Sequence, residues 1–352
     1  MSQSGPRRRL LVRMLFAASA SAVLTGFSFA DERPVNPGDR ASSPITLRTR
    51  IALPGVYGRM DHYGWDSRRG LLLVAALGND TVEIIGDWRR RSSITGLEHP
   101  QAVVYLPRVD RIAVSSQSGK LRFYEAGSYA LLKTLDFGEN ANTDNMRYDG
   151  LSQKLYVGYG AGSRGSIAVV DPKSLERQEE YTVGSHPEAF QLETGGPRIF
   201  VNLPDQGAIG VIDRATGVVS RWKVPGHTNV HAMALDEDNQ RLFTAALQPG
   251  RFTIVDTNSG AVVATLPCVL GVDDIWFDNG RKRIYAPGSG AIDVFEQVDP
   301  DHYRALAHVV VDPGSGSTSF RLESRTQDSL FMSLPNVLPQ GGSEVLLFYV
   351  ND

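Results

Sequence analysis

Polar and charged residues with the chemistry of metal ligands and acid–base catalysts recur at one point of a repeated pattern in this sequence. The residues that open seven successive windows of the pattern are Asp61, Gln101, Asp144, Glu188, His231, Asp273 and Thr318. Further polar residues stand two positions before or directly after them, namely Arg59, His62, His99, Asn142, Asn145, His186, Asn229 and Asp274. Histidine with carboxylates suits zinc, manganese and similar ions, and the same groups can act as general acids and bases.

The windows that carry these residues are short strand-like segments. They are Asp61–Asp66, Gln101–Leu106, Asp144–Asp149, Glu188–Glu193, His231–Asp236, Asp273–Asp278 and Thr318–Glu323, and their starts lie 40, 43, 44, 43, 42 and 45 residues apart. Each is followed by further runs rich in Val, Ile and Phe, separated by Gly, Pro, Asp and Thr. A four-strand unit with this period is typical of a β-propeller blade. The sequence therefore predicts an all-β fold, a seven-bladed β-propeller with four antiparallel strands per blade.

The last repeat is one strand short, because the sequence stops at Asp352 after its third strand. The segment Ile45–Ala52 has strand-like composition but no unit of its own. We expect this N-terminal strand to close the last blade, since closure removes an open sheet edge.

Several repeats carry motifs that resemble the YVTN-type seven-bladed β-propellers. The matching segments are LYVGYG at Leu155–Gly160, IFVNLP at Ile199–Pro204, AVVD at Ala168–Asp171, GVID at Gly210–Asp213, TIVD at Thr253–Asp256 and the G-x-H-P-E step at Gly184–Glu188. The resemblance covers about Ile45 to Val350 and implies the propeller fold. It leaves the function open, because the superfamily includes presumed binding proteins, lactone-cleaving enzymes, an antibiotic lyase and quinoprotein-like subunits.

In a propeller the first strand of each blade lines the central channel, so residues at the same repeat position should form a ring. The predicted ligand-binding residues are Arg59, Asp61, His62, His99, Gln101, Asp144, Asn145, His186, Glu188, His231, Asp273 and Asp274. Three explanations stay open: a wet channel mouth with turn-forming polar residues, a site for a small polar or cationic ligand, and a divalent metal site. For the metal, the candidate ligands are Asp144, Glu188, His231 and Asp273. Arg59 and Arg147 could instead offset the clustered carboxylates without a metal.

The function that we expect first is non-catalytic binding of a small ligand, a metal ion or a protein partner. The alternative is a metal-assisted hydrolase or lyase of the lactonase kind, with Glu188, His231 and Asp144 as ligands or acid–base groups. A third interpretation is a scaffold subunit of a periplasmic redox complex. The acids at the sixth position of each window, such as Asp66 and Asp149, are interpreted as turn residues that bond nearby backbone amides.

The remaining features concern export and partners. Residues 1–30 have the basic start, the apolar run and the Ser28-Phe29-Ala30 cleavage site of a signal peptide. We therefore expect a periplasmic or extracellular protein. The general secretory route is favoured over the twin-arginine route. Residues 31–44 should form a flexible spacer and residues 45–352 a single propeller domain. A net charge of −3 with scattered basic residues predicts no nucleic-acid partner. We expect a monomer with no transmembrane domain once the leader is removed.

Overall fold

The chain folds into seven four-stranded antiparallel sheets, which are the blades of a seven-bladed β-propeller. The structure is a computed structural model that describes residues 43–160, 162–226, 228–338 and 341–352. The predicted leader at 1–30 and nearly all of the predicted spacer at 31–44 lie outside the described residues. None of the helices in the described part of the chain is long and apolar enough to span a membrane.

Each of the first six blades consists of four consecutive strands. Blade 1 holds β2 (Tyr63–Asp66), β3 (Leu71–Ala76), β4 (Thr81–Gly86) and β5 (Arg89–Ile94). Blade 2 holds β6 (Pro100–Leu106), β7 (Arg111–Ser116), β8 (Lys120–Glu125) and β9 (Leu131–Asp136). Blade 3 holds β10 (Met146–Asp149), β11 (Lys154–Tyr159), β12 (Ser166–Asp171) and β13 (Glu176–Thr182).

Blade 4 holds β14 (Phe190–Leu192), β15 (Arg198–Leu203), β16 (Ala208–Asp213) and β17 (Val219–Lys223). Blade 5 holds β18 (Val230–Asp236), β19 (Arg241–Ala246), β20 (Arg251–Asp256) and β21 (Val262–Pro267). Blade 6 holds β22 (Trp276–Asp278), β23 (Arg283–Gly288), β24 (Ala291–Asp299) and β25 (His302–Val310). Short 3-10 turns follow the second strands of blades 1, 3 and 4, at Leu77–Asn79, Gly162–Arg164 and Pro204–Gln206.

Blade 7 is closed by the N-terminal strand, as the sequence predicted. Its strands from the channel outward are β26 (Ser319–Leu322), β27 (Ser329–Leu334), β28 (Gly342–Val350) and β1 (Ile45–Pro54). The β1–β28 ladder runs antiparallel from the Ile45–Val350 pair to the Pro54–Gly342 pair. This pairing satisfies the backbone groups of β28 and ties both ends of the propeller into one sheet.

The hydrophobic core lies between the blades. A cluster of buried apolar side chains occupies each of the seven blade interfaces, including the one between blades 7 and 1, where Phe331 packs in the same cluster as Tyr63. Middle strands such as β4 are buried along their whole length because both sheet faces are covered, whereas the outer strand β5 is mostly exposed. Uninterrupted apolar runs in the middle strands follow from this packing.

Candidate functional site

The residues that open the repeat windows share one backbone position at the start of each blade's first strand. In blades 1, 3 and 4 the amide at this position donates to a carbonyl of the second strand: Asp61 N–H to Ala75 O (2.7 Å), Asp144 N–H to Gly158 O (2.9 Å) and Glu188 N–H to Asn202 O (3.1 Å). The repeat therefore places these three carboxylates equivalently around the channel mouth.

Neighbouring blades are joined by hydrogen bonds at the same level. The His62 amide donates to Gln101 O across the blade 1–2 junction (2.9 Å), and the Ala189 amide donates to His231 O across the blade 4–5 junction (3.2 Å). These bonds hold the starts of adjacent first strands side by side. Polar side chains that lie more than 40 residues apart in sequence are thereby brought into contact range.

Eight of these side chains form a closed circuit in which acids and bases alternate, and we call it the acid–base ring. Its members, in order around the channel, are Asp61, His62, Asp144, His186, Glu188, His231, Asp273 and Arg59, which returns to Asp61. A fifth carboxylate, Asp274, binds His62 from outside the circuit, with Oδ1 3.2 Å from Nδ1. With neutral histidines, four acids of the ring face a single permanent cation, Arg59.

The contacts of the ring are of two lengths. Nδ1 of His231 lies 3.1 Å from Oε2 of Glu188, which is within hydrogen-bonding range. Around His186 the contacts are longer: its Nε2 lies 3.6 Å from Oδ2 of Asp144 and 4.0 Å from Oε1 of Glu188. Charge-assisted hydrogen bonds are normally about 2.7–2.9 Å long, so His186 faces the carboxylates of Asp144 and Glu188 without a direct hydrogen bond to either.

Among the residues that the structure describes, Asp144, His186 and Glu188 form a group that could share a metal ion. One donor atom from each lies within 4.8 Å of the others, and all three side chains are largely buried. Two ligands bound to one tetrahedral zinc at about 2.1 Å would be about 3.4 Å apart. The two separations that involve His186, 3.6 and 4.0 Å, need only a small contraction to reach that distance, and the two carboxylates lie within 4.8 Å of each other.

Backbone contacts orient His186 for such a role. Its Nδ1 lies 2.6 Å from the carbonyl oxygen of Gly160, so Nδ1 carries the hydrogen that it donates to that oxygen. In the neutral ring, this leaves the lone pair on Nε2, the atom that faces Asp144 and Glu188. Asn142 Nδ2 lies 3.2 Å from the same Nε2, and Gln101 donates to Asn142 Oδ1 (2.7 Å). Asn142 thus contacts Nε2 itself and can donate to its lone pair, and Gln101 holds the Asn142 side chain in place.

The second oxygen of each carboxylate has its own neighbour. Glu188 directs Oε2 to His231, which leaves Oε1 toward His186. Asp144 directs Oδ1 toward Asn145 Nδ2 (3.5 Å) and His62 Nε2 (3.9 Å), and Oδ2 toward His186. The neighbours fix the orientation of the carboxylates, which is what ligands of a metal require.

Asp61 is the most deeply buried acid of the ring. It is 1% exposed, and neither carboxylate oxygen has a hydrogen-bond partner among the described residues, although Arg59 Nη2 lies 3.2 Å from Oδ2. Burial raises the pKa of Asp61 to about 7, while the charges of His62 and Arg59 oppose the shift. A buried carboxylate without directed bonds is costly, so this mouth of the channel is not optimised for stability.

The histidines of the ring have raised pKa values. For His186, burial opposes the shift, but the nearby carboxylates of Asp144 and Glu188 raise the pKa to about 9. For His231, burial would lower the pKa, but the carboxylates of Glu188 and Asp273 outweigh this effect and raise it. Burial would lower the pKa of His62, but Asp274, Asp61 and Asp144 raise it well above its usual value. Without another cation, protons on the histidines neutralise the acids.

The structure corrects two sequence-based expectations. His99 is not part of the ring: its side chain is 56% exposed and its Nδ1 contacts Asp80 Oδ1 (3.1 Å). Its φ of 52° shows that it occupies a left-handed turn position, which explains a polar residue there. Of the expected metal ligands Asp144, Glu188, His231 and Asp273, the first two belong to the group of close donor atoms, and the third member of that group is His186. The signal for His186 was its position two residues before Glu188 in the same connection.

The comparisons with known proteins show the architecture. No family model matches the chain, and no curated protein matches it. A chain of the solved "Crystal Structure of Mitotic Checkpoint Complex" is similar over 94% of this chain and 99% of its own length, with a TM-score of 0.71 and 14% sequence identity. In all, 1702 chains of solved structures match, so the likeness identifies a widely used fold and not an activity.

Proposed function

We propose that this protein is a binding protein that holds a divalent cation in the acid–base ring and presents it to a small ligand in the channel. The observation that carries this proposal is the group formed by Asp144, His186 and Glu188, whose donor atoms lie within 4.8 Å of one another while their contacts are too long for hydrogen bonds. A cation at their centre would satisfy all three donors at once.

The donor set favours particular metals. Two carboxylate oxygens and one imidazole nitrogen suit zinc, manganese or iron better than calcium, which takes six to eight oxygen ligands. Three protein ligands leave at least one coordination position for water or for a ligand, as in catalytic rather than structural zinc sites. A ligand with an oxygen donor could therefore bind the metal from the channel.

The test is titration of metal-depleted protein with Mn²⁺ and Zn²⁺, followed by calorimetry and by the melting temperature. We expect one equivalent per chain, and a cation present at 100 times its dissociation constant should stabilise the protein by about 2.7 kcal/mol. Glu188→Gln should weaken binding by about 100-fold, whereas Asp299→Asn, a matched loss of a surface charge, should leave it unchanged. Equal binding by Glu188→Gln and the parent would contradict the proposal.

One observation also favours a catalytic role for the same site. His231 lies beside the three donors but binds Glu188 instead of joining them, with Nδ1 3.1 Å from Oε2 and 26% of its side chain exposed. A histidine in this place could transfer a proton while the metal polarises a carbonyl, as in a metal-assisted hydrolase or lyase. Hydrolysis of a panel of lactones that is lost in His231→Gln, with metal binding retained, would favour this function over binding alone.

We further propose that the protein is exported and that its repeats are of the YVTN type. Export is supported by the basic and apolar pattern of residues 1–30, and the repeat type by segments such as Leu155–Gly160 and Ile199–Pro204. Cell fractionation with N-terminal sequencing of the purified protein tests export: we expect a mature chain that starts at Asp31. Protein found in the cytoplasm with residues 1–30 intact would argue against it.

A further inference from the structure

Arg147 is a half-buried arginine that has no carboxylate partner. It lies in β10, its Nη1 donates to the carbonyl oxygen of Met146 (2.8 Å), and its guanidinium carbon lies 5.5 Å from the centroid of the Phe190 ring. Among the residues that the structure describes, no ion pair includes it. Burial lowers the pKa of Arg147, and the charges of Asp274 and Asp144 only partly offset this. Buried charges are normally paired, so this arrangement calls for an explanation.

Arg147 lines a cavity of about 310 Å³ between the first strands of blades 3 and 4. The cavity wall is formed by residues 147–151 and 191–194, on the side of the propeller where the first strands end. This volume is at the lower end of the range for small-molecule sites. It is separate from the acid–base ring, which surrounds the points where the first strands begin.

The acids that line the same cavity are already neutralised. Asp149 pairs with Arg214 at 3.2 Å and accepts the hydroxyl of Ser152 at 2.7 Å. Glu193 pairs with Arg198, which also donates its backbone amide at 3.0 Å. Each of these two lining carboxylates therefore has its own arginine, and neither forms an ion pair with the Arg147 guanidinium.

We propose that this cavity binds the oxyanion group, carboxylate or phosphate, of a small molecule through the Arg147 guanidinium. A guanidinium has five N–H donors, and Arg147 uses one of them in a hydrogen bond to the described part of the chain, so a bidentate contact to an oxyanion remains available. Asp149 and Glu193 stay with Arg214 and Arg198, which leaves a site that selects one negative charge.

The test uses metal-depleted parent protein and three variants, Arg147→Gln, Arg147→Lys and Arg89→Gln. Arg89 begins the exposed strand β5, so its variant removes the same charge far from the cavity. Inorganic phosphate and acetate are titrated at low ionic strength, and binding is followed by phosphate line broadening in ³¹P NMR and by the melting temperature. Phosphate stabilises most proteins by exclusion from their surface, and the Arg89→Gln protein measures that common effect.

We expect parent and Arg89→Gln to bind phosphate, acetate or both, Arg147→Lys to bind more weakly, and Arg147→Gln to lose about tenfold or more in affinity. Arg147→Gln should melt no lower than the parent, because it removes a buried charge without a partner. Equal anion responses in Arg147→Gln and the parent, or no response in the parent to either anion, would overturn the proposal. A lower melting temperature of Arg147→Gln together with unchanged anion binding would show that Arg147 is structural.

Discussion

Acidic residues at the two ends of the first strands have opposite surroundings. At the end of β2, the buried Asp66 accepts the amides of Arg68 and Arg69, both at 3.0 Å, and the Arg69 guanidinium at 2.9 Å. Only a few residues earlier, Asp61 is equally buried and has no directed hydrogen bond among the described residues. Asp66 is held by backbone amides and an arginine, whereas Asp61 faces the Arg59 guanidinium and the titratable His62 without a directed hydrogen bond among the described residues.

We interpret the acids at the ends of the first strands as stabilising the fold and the acids at their starts as serving a function. Asp278 repeats the Asp66 arrangement: it accepts the Arg281 amide (3.0 Å) and two arginine side chains. Such acids close the turn into the second strand, as the sequence predicted. In the acid–base ring, by contrast, six of the eight contacts are 3.6–4.0 Å long, which leaves those charges apart. A protein selected for stability alone would pair or remove these charges, which is the physical reason that we propose a ligand for the ring.

The largest expected effect is on stability, at the turn end. Asp66→Ala removes acceptors for two backbone amides and one arginine, and should lower the free energy of unfolding by about 3–5 kcal/mol. Glu188→Gln, in metal-depleted protein, should lower it by no more than about 1 kcal/mol, because the lost contact with His231 is partly offset by weaker repulsion among the acids of the ring. Denaturant unfolding of both variants measures the contrast, with Asp66→Asn as a milder variant should the alanine protein not fold. If the acids at both ends of the first strands were structural, Asp66→Ala and Glu188→Gln would lower the free energy of unfolding by similar amounts.

The next effect is a pH dependence that arises in the ring. The folded-state pKa of His186 is raised to about 9, so its contribution to stability is complete below about pH 6.5 and is lost as the pH rises toward 9. We expect metal-depleted protein to lose on the order of 2 kcal/mol over that interval.

Stabilisation by added Mn²⁺ should change in the opposite direction over the same interval, because a metal binds the neutral imidazole. Melting temperatures with and without Mn²⁺ at several pH values measure both trends. His186→Asn should remove the trend with Mn²⁺ and reduce the trend without it, because His62 and His231 also have raised pKa values, while Asp66→Asn should keep both trends. If stabilisation by Mn²⁺ became weaker as the pH rose, the result would contradict the role of His186 as a metal ligand.

A smaller effect is expected from Asp61. Its raised pKa, about 7, means that the folded state favours the protonated acid, so its contribution to stability falls as the pH rises from about 4 to 7. Asp61→Asn removes this dependence. Relative to the parent, the variant should therefore gain on the order of 1–2 kcal/mol between pH 4 and pH 8. Unfolding measured at these two pH values tests the sign, and a relative loss by the variant would show that Asp61 is well paired.

The smallest effect is expected from His99. His99→Asn keeps a residue type that tolerates the left-handed backbone, and its side chain is exposed, so stability should change by less than about 0.5 kcal/mol. Metal binding should be unchanged. The matched His186→Asn variant should lose metal binding by about 100-fold. Similar losses in the two variants would mean that the sequence pattern, with all its histidines, describes the site better than the structure does.

Much of the fold was readable from the sequence because the repeat imposes it. The spacing of the windows predicted the blades, and the unassigned segment Ile45–Ala52 predicted the closing strand. Turn chemistry predicted the acids that end the first strands, such as Asp66. In each case a local pattern is sufficient, because a blade is one local unit that packs only on its neighbours.

The site was only partly readable, because its pairings are long-range. The repeat placed Asp144, Glu188 and His231 at one level, but it could not show which carboxylate oxygen faces which histidine. It gave His99 and His186 the same position, two residues before a window, although His99 takes a left-handed turn and His186 binds the Gly160 carbonyl. Arg147 was expected to offset the carboxylates, yet it forms no ion pair among the described residues. Such details depend on side-chain orientation across blades.

The most direct measurement is the anomalous scattering of a crystal grown with zinc, recorded at the zinc absorption edge. Our account predicts one strong peak in the channel mouth, about 2.0–2.2 Å from oxygens of Asp144 and Glu188 and from Nε2 of His186. Crystals of His186→Asn grown in the same way should lack that peak. A parent crystal with no peak among these three residues, or a peak that persists unchanged in His186→Asn, would contradict the claim that the acid–base ring is a cation site.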